Sequence, residues 1–215
     1  MNATAWALIG VAIALAVCDW VAVGTNHRTA EYVFKPATML PLIAAALVLD
    51  PVSEACRIWF VVGLVCSLAG DVFLMLPDDD RRFVAGLASF LLGHVAYIAG
   101  FAAGGLSGAA LAIGAVVVGV TIIAAGSRIV VAARRTNPEM ALPVLVYMVV
   151  ISAMVAFAIG STVPVAIVGA AVFALSDFTI GWTRFVKDFP GSRLVVMTTY
   201  HAAQVLLVLS LTVAR

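Results

Sequence analysis

Hydrophobic residues along the chain fall into eight long runs, separated by short stretches that carry charged residues, glycine or proline. Runs of this length and polarity are typical of membrane-spanning α-helices. The second run is short, and we expect the fifth to continue as a helix past the membrane toward Arg135. The pattern therefore predicts an all-α polytopic membrane protein with eight transmembrane helices, at about residues 3–23, 35–49, 55–76, 83–103, 107–127, 140–160, 163–183 and 194–213.

Composition agrees with this pattern and narrows the class of protein. Of the 215 residues, 64% are hydrophobic and 11% are charged. Soluble domains are about half apolar and about a quarter charged, so a soluble domain is excluded. A net charge of +1 gives no reason to expect nucleic acid as a partner, and no long linker separates two domains. We expect one integral membrane domain over residues 1–215, surrounded by membrane lipids and without an obligatory protein partner.

The basic residues predict the orientation in the membrane. Of the 12 Lys and Arg residues, ten flank odd-numbered connections. The other two are Arg57, beside the second connection, and Arg215, at the C-terminus. By the positive-inside rule the odd-numbered connections face the cytoplasm, so both termini lie outside a plasma or inner membrane. The basic residues on the predicted cytoplasmic side are Arg28, Lys35, Arg81, Arg82, Arg128, Arg134, Arg135, Arg184, Lys187 and Arg193.

Two carboxylates lie inside predicted helices, where an ionised group is costly to bury. Asp71 and Asp177 are each about five residues, or roughly 8 Å, from the cytoplasmic ends of the third and seventh helices. Other polar residues fall in the same half of the membrane, so we expect a polar cavity that opens toward the cytoplasmic leaflet. They are Asp19, Tyr147 and Tyr200 near the level of the two aspartates, and His94, Tyr97, His201 and Gln204 somewhat deeper.

An internal duplication is a further hypothesis. The segment KPATMLP at 35–41 is similar to NPEMALP at 137–143, and Asp71 and His94 have counterparts in Asp177 and His201. These matches relate helices two, three and four to helices six, seven and eight, which would make two parallel four-helix repeats. In such an arrangement the two aspartates would be symmetry mates that face each other.

The two aspartates are suited to acid and base chemistry if they lie close together. Two neighbouring carboxyls do not both ionise easily, so one can stay protonated as an acid while the other acts as a base. Such a pair can hydrolyse a substrate through an oxocarbenium ion, with one group delivering a proton and the other activating water. The alternative is a structural pair that only links helices by hydrogen bonds.

The other polar residues each have two interpretations. Lys35 is expected at the cytoplasmic mouth, where it either extends to the surface or binds a lipid phosphate. Asp19 lies near the membrane surface and is either solvated or closes the cavity from the first helix. His94 and His201 lack the spacing of a metal site, so we expect no metal. Residues that either line the cavity or link helices are Tyr97, Tyr147, Tyr200 and Gln204.

Six motifs, in order along helices two to eight, together resemble the YhhN family of membrane proteins, whose animal members are lysoplasmalogenases. They are KPATMLP, SLAGDVFLMLP, FLLGHVAYI, LPVLVYMVVISAM, FALSDFTIGW and TYHAAQVLLV. The resemblance implies hydrolysis of the vinyl ether bond of lysoplasmalogens to a fatty aldehyde and glycerophosphoethanolamine or glycerophosphocholine, without a metal or organic cofactor. It places the family's two intramembrane aspartates at Asp71 and Asp177. Its other polar motif residues correspond to Lys35, Ser67, His94, Tyr147, Ser176, Tyr200 and Gln204. We expect these residues, together with Tyr97 and His201, to bind the substrate.

Two other kinds of membrane protein also use buried acids. Intramembrane aspartyl proteases have their aspartates in YD and GxGD motifs, whereas the contexts here are LAGD and LSD. A proton-coupled transporter of small molecules or lipids is the stronger alternative, since buried acids, histidines and repeats are common in transporters. A transporter needs polar residues that continue to the outer face. The outer halves of the predicted helices offer almost none, which favours a cavity open on one side.

Overall fold

The computed structural model describes residues 2–76 and 80–214, and these residues form eight helices and no strand. All eight are long and apolar enough to cross a membrane, which confirms the predicted all-α architecture. Arg215, which the orientation argument used, lies outside the described residues. The helices are α1 Ala3–Gly24, α2 Arg28–Val48, α3 Glu54–Met75, α4 Asp80–Gly104, α5 Gly108–Thr136, α6 Pro138–Ser161, α7 Pro164–Phe185 and α8 Ser192–Ser210.

Several helices begin where the sequence supplies a capping residue or a proline. The side chains of Asn2, Ser53 and Ser107 accept hydrogen bonds from the first turns of α1, α3 and α5. Pro138 and Pro164 occupy the first positions of α6 and α7, where the missing N–H has no intrahelical partner to lose. Connections between consecutive helices are short, and consecutive helices other than α4 and α5 pack against each other.

The second helix is longer than its apolar run indicated. It begins at Arg28, seven residues before the expected start at 35, and it includes both Pro36 and Pro41. Its first two turns carry Glu31 and Lys35, whose charges end the hydrophobic run although both side chains are buried. Tertiary contacts therefore extend this helix beyond what hydrophobicity alone predicts.

The fifth helix continues to Thr136, as expected, but it is not a regular α-helix throughout. Residues Ile122–Gly126 form a π-helical turn between the α-helical segments Gly108–Thr121 and Ser127–Thr136. Such turns insert an extra residue and change which side chains face a neighbour. The sequence carries no proline or other signal that predicts this one.

Seven helices form a closed ring, in the order α1, α2, α3, α4, α6, α7 and α8, and α8 returns to α1 and α2. The fifth helix packs outside this ring, mainly on α6, and is the least buried of the eight. Aromatic side chains fill the centre, among them Phe60, Phe90, Tyr97, Phe173 and Tyr200. Glycines on α3 and α4 make room for three of them: a Cβ on Gly63, Gly70 or Gly100 would lie within 2.8 Å of the ring of Tyr97, Phe90 or Phe60.

Polar contacts show which helix ends lie together. Arg193 at the start of α8 pairs with Glu31 near the start of α2, and Arg184 near the end of α7 pairs with Asp80 at the start of α4. Asn137, just before α6, donates a hydrogen bond to the same Asp80. We call this side the basic end of the bundle. At the opposite end, backbone hydrogen bonds join residues 52 and 211, and residues 107 and 160.

Candidate functional site

A cavity of about 460 Å³ lies between α4, α5, α6 and α7. Its lining is almost entirely apolar, so the polar cavity expected from the sequence is wrong in character. Asp177 is the only acidic or basic side chain among the described residues that line it, and the hydroxyl-bearing Tyr147 lies beside it. The cavity therefore combines a hydrophobic enclosure with a single carboxyl.

The π-helical turn of α5 forms part of the cavity wall. Ile122, Ala125 and Gly126 of this turn all line the cavity. A Cβ on Gly126 would meet the terminal methyl of Met148 on α6, which is the flexible end of a side chain that can move aside. The irregular turn thus contributes to the wall of the cavity that Asp177 also lines.

Asp177 is held by two side chains from other helices. The Tyr147 hydroxyl donates a hydrogen bond to Asp177 Oδ2, and His94 Nε2 lies 3.0 Å from the same oxygen. His94 Nε2 is also 3.0 Å from the Tyr147 hydroxyl oxygen, so α4, α6 and α7 meet in one small network. Both contacts end on Oδ2, and Oδ1 makes no hydrogen bond to any described residue. One carboxyl oxygen is thereby fixed while the other stays available to a bound molecule.

Asp71 has a different environment. The Tyr200 hydroxyl donates to Asp71 Oδ2 at 2.6 Å, and Lys35 Nζ lies 3.4 Å from Oδ1. Lys35 is only 5% exposed, so the expectation that it lies at the cytoplasmic mouth is wrong. The lysine turns into the bundle because a buried carboxylate offers it a partner of opposite charge. Asp71 itself is 1% exposed and does not line the cavity.

Aromatic rings separate the two aspartates. The Phe173 ring lies 4.8 Å from that of His94, the partner of Asp177, and 5.5 Å from that of Tyr200, the partner of Asp71. No hydrogen bond joins the two carboxyls in the described part of the chain, although they are close enough to interact electrostatically. The structure thus brings the two acids into one region with separate hydrogen-bond partners.

The remaining candidate residues lie around this centre and outside the cavity lining. The Tyr97 hydroxyl donates to Gln204 Oε1 at 2.6 Å, which links α4 to α8. Ser67 faces Gly93 on α4, where an added Cβ would lie 3.3 Å from its hydroxyl oxygen. The Ser176 hydroxyl donates to the backbone carbonyl of Val196 at 3.1 Å and so joins α7 to α8.

The first helix contributes polar contacts to the same region. Trp20 Nε1 donates to His201 Nδ1 at 3.1 Å. Asp19 is fully buried, so the expectation that it is solvated near the surface is wrong. Neither of its carboxyl oxygens has a hydrogen-bond partner among the described residues, although it interacts electrostatically with Lys35. Lys35 is therefore the cation that Asp19 and Asp71 have in common.

Metal binding finds no support in the described residues, which contain no group of three or more His, Cys, Asp or Glu side chains placed to hold an ion. Sequence reasoning missed three features of the region: the π-helical turn, the ring of Phe173 between the two acids, and Arg184 near the cavity. Only Arg184 left a signal, because it follows Asp177 by seven residues and so shares its helix face.

Comparison with known proteins identifies a family whose model matches most of the chain. The model of the YhhN family matches residues 30–211, which leaves α1 and Asp19 outside the match. Human lysoplasmalogenase TMEM86B is 36% identical over 149 residues, covering 68% of this chain and 60% of the human protein. A Mycobacterium bovis lysoplasmalogenase is 33% identical over 195 residues, covering 85% of this chain and 70% of that protein. The match thus spans less than two thirds of the human relative's length. No solved structure matches significantly.

Proposed function

Because the chain belongs to the YhhN family, we propose that it is a lysoplasmalogenase that cleaves the vinyl ether bond of lysoplasmenylethanolamine or lysoplasmenylcholine. The products are a fatty aldehyde and the glycerophospho-base. The names of its relatives support the reaction class. The observation that carries the proposal is the position of Asp177, a carboxyl in the wall of an otherwise apolar cavity of about 460 Å³.

An apolar cavity with one carboxyl suits the two parts of such a substrate, its hydrocarbon chain and its vinyl ether. A lysoplasmalogen has one hydrocarbon chain, which gains free energy by entering an apolar enclosure, and its reactive double bond lies where the chain meets the glycerol. Asp177 is the acidic group that the cavity lining offers to that bond. The hydrocarbon chain therefore extends along the apolar walls, and the vinyl ether lies beside the carboxyl.

Vinyl ether hydrolysis begins with proton transfer to carbon. An acid protonates the β carbon of the double bond, and the adjacent carbon becomes an oxocarbenium ion. Water adds to this ion and gives its proton back to the carboxylate, which regenerates the acid. The hemiacetal formed then breaks its bond to the glycerol oxygen, releasing the aldehyde and the free alcohol. One water molecule is consumed, and no net proton is gained or lost.

We assign both proton transfers to Asp177 because it lines the cavity. Its Oδ1 would carry the proton and meet the β carbon. The contacts of Tyr147 and His94 to Oδ2 would stabilise the carboxylate left behind, since donors aimed at a developing charge need no reorganisation during the reaction. The substrate-binding roles of Tyr97, Ser67, Ser176, His201 and Gln204 are then indirect, through the packing of α3, α4, α7 and α8 around this centre.

Asp71 would act without touching the substrate. It is the second carboxyl of the pair, and two neighbouring carboxyls titrate as a coupled unit. Its contacts to Lys35 and Tyr200 fix it on the other side of Phe173. We propose that it sets the electrostatic environment in which the oxocarbenium ion forms.

The chain is an integral membrane protein, as its eight apolar helices and its family indicate. We further propose that the basic end faces the cytoplasm, by the positive-inside rule, and that both termini lie outside. The cavity would then draw its substrate from the cytoplasmic leaflet, within a single membrane domain that needs no protein partner.

The test is aldehyde release by the purified full-length protein in detergent. Lysoplasmenylethanolamine should yield fatty aldehyde with the wild type, and the saturated 1-alkyl analogue, which has no double bond to protonate, should yield none. Asp177→Asn should abolish release while the protein elutes and melts like the wild type. A folded wild type that releases no aldehyde from either headgroup form would overturn the proposal and favour a transporter.

A further inference from the structure

The α7 face that carries Asp177 continues to the basic end of the bundle. Asp177, Gly181 and Arg184 are spaced by four and three residues, so they lie on one side of the helix. Seven residues separate the carboxyl from the arginine, which is about 10 Å along the helix axis. Asp177 and Gly181 line the cavity, and so does Phe185 next to Arg184. This face therefore runs from the reactive carboxyl toward the basic end of the bundle.

Arg184 is held beside the cavity lining by residues of α4. Its guanidinium carbon lies 4.6 Å from the ring centre of Phe83, which itself lines the cavity. Its Nη2 lies 3.0 Å from Asp80 Oδ1, and Asp80 Oδ2 accepts a hydrogen bond from Asn137 at 3.3 Å. The Arg184 side chain is 26% exposed. The guanidinium thus lies beside a cavity-lining ring at the basic end of the bundle and is partly exposed.

We propose that Arg184 binds the phosphate of a single-chain phospholipid whose hydrocarbon chain occupies the cavity. The proposal rests on the proposed function and names the group that recognises the headgroup of its substrate. Guanidinium groups bind phosphate by two parallel hydrogen bonds, which a lysine cannot reproduce. The phosphate exchanges with the Asp80 carboxylate on the guanidinium, while Phe83 keeps the guanidinium plane in place.

The spacing along α7 fits the three parts of such a lipid. The phosphate lies at Arg184, the vinyl ether lies beside Asp177, and the three-carbon glycerol unit passes Gly181 between them. A Cβ at Gly181 would be 3.3 Å from the side chain of Ile129 on α5, so the glycine lets α7 and α5 pack closely here, and the glycerol unit runs beside this contact. The hydrocarbon chain continues away from the basic end, past Ala171.

Lys35, the phosphate ligand suggested by the sequence, does not fit this role. It is buried, and its ammonium pairs with Asp71. Using it for the headgroup would leave Asp71 without its cation inside the bundle, which is costly. Arg184 can take a phosphate without breaking any contact of the two aspartates.

The first experiment compares two substrates that differ only in the headgroup: lysoplasmenylethanolamine and a 1-alkenylglycerol that lacks the phosphate. For the phospholipid, Arg184→Gln should raise KM about tenfold, as expected for a lost hydrogen bond to a charged group, and change kcat less than about twofold. For the alkenylglycerol, KM should not change. Arg184→Lys should give an intermediate KM for the phospholipid because the charge remains but the paired geometry is lost.

Arg134→Gln is the matched control, since Arg134 is an exposed arginine at the basic end that does not line the cavity. It should leave both KM values at those of the wild type. An equal rise in KM for this control would show general attraction of the lipid to basic charge and would overturn the assignment. Unchanged KM in Arg184→Gln, or an equal rise for the alkenylglycerol, would also overturn it.

A binding measurement separates this inference from the proposed function. The 1-alkyl lysophosphatidylethanolamine has no vinyl ether and cannot be hydrolysed by proton transfer to carbon, so its affinity is measured without turnover. Arg184→Gln and Arg184→Lys should both bind it more weakly than the wild type, with alkylglycerol as the reference ligand. If no variant releases aldehyde but this loss is seen, the reaction assignment fails and the phosphate site stands. If both variants bind it like the wild type, the phosphate site is overturned.

Discussion

Asp71 and Asp177 occupy similar places on α3 and α7, yet their surroundings differ in one respect that decides their roles. Each accepts a hydrogen bond from a tyrosine of another helix, Tyr200 in one case and Tyr147 in the other. The second contact of Asp71 comes from Lys35, a cation, whereas that of Asp177 comes from a histidine. Only Asp177 borders the cavity.

The difference indicates that the two aspartates would have different roles, one structural and one catalytic. A carboxyl in an ion pair inside the bundle is fixed by its partner, and removing either member leaves a buried charge unpaired. A carboxyl beside a cavity, with one oxygen held and the other facing the lining, can exchange a proton with a bound molecule. Asp71 would therefore support the architecture of the site, and Asp177 would perform the chemistry.

The largest expected effect is the loss of enzyme activity when Asp177, the acid that lines the cavity, is replaced. Asp177→Asn should lower kcat for lysoplasmenylethanolamine about 10²–10⁴-fold, the usual contribution of a general acid or base. The unfolding temperature in detergent should change little, because no buried cation loses its partner. Glu139→Gln, which changes an exposed carboxylate of α6, is the control and should retain full activity. An Asp177→Asn protein with kcat close to the wild type would remove Asp177 from the mechanism.

The second prediction concerns stability and distinguishes Asp71 from Asp177. Asp71→Asn should lower the free energy of unfolding by about 3–5 kcal/mol, because Lys35 loses the only carboxylate within ion-pair distance in the described interior. Combining it with Lys35→Met should recover part of that loss but not all of it, since Asp19 then loses the cation that it shares with Asp71. Chemical denaturation in detergent measures both variants. A double variant as unstable as Asp71→Asn alone would mean that the ion pair is not the cause.

Removing the hydroxyl of either tyrosine tests the same difference between the two aspartates, with a smaller expected effect. Each hydrogen bond to a charged acceptor contributes about 1.5–3 kcal/mol. Tyr147→Phe should lower kcat about 10–100-fold and leave the free energy of unfolding near that of the wild type. Tyr200→Phe should lose a similar free energy of unfolding while kcat falls less than about threefold. The reverse distribution of effects would exchange the roles assigned to the two aspartates.

Much of the fold could be predicted from the sequence because membrane helices are specified by hydrophobicity. Eight apolar runs gave eight helices, and the fifth extends to Thr136 as expected. The start of α2 was misplaced because Glu31 and Lys35 are charged yet buried, and only contacts with other helices explain that. The π-helical turn has no sequence signal, since Ile122–Gly126 contain no proline and belong to one continuous apolar run.

The candidate site could be predicted only in part. Depth along each helix identified Asp71, Asp177 and the polar residues near them, and the structure places their side chains in one region. Depth does not specify which way a side chain points, so it could not show that Asp177 borders the cavity while Asp71 pairs with Lys35. The internal duplication stays a hypothesis. If it is correct, the two halves have diverged at the residues that contact the aspartates, because Asp71 pairs with a lysine and Asp177 with a histidine.

The smallest predicted effect concerns the residue before each aspartate, which is Ser176 in one case and Gly70 in the other. Gly70 faces the Phe90 ring and leaves no room for a side chain, whereas the Ser176 hydroxyl donates to the carbonyl of Val196. Ser176→Ala should therefore lower the free energy of unfolding by about 1 kcal/mol, as for one ordinary hydrogen bond, and leave KM unchanged. A severalfold rise in KM with unchanged stability would instead place this hydroxyl on the substrate, as the family resemblance implies.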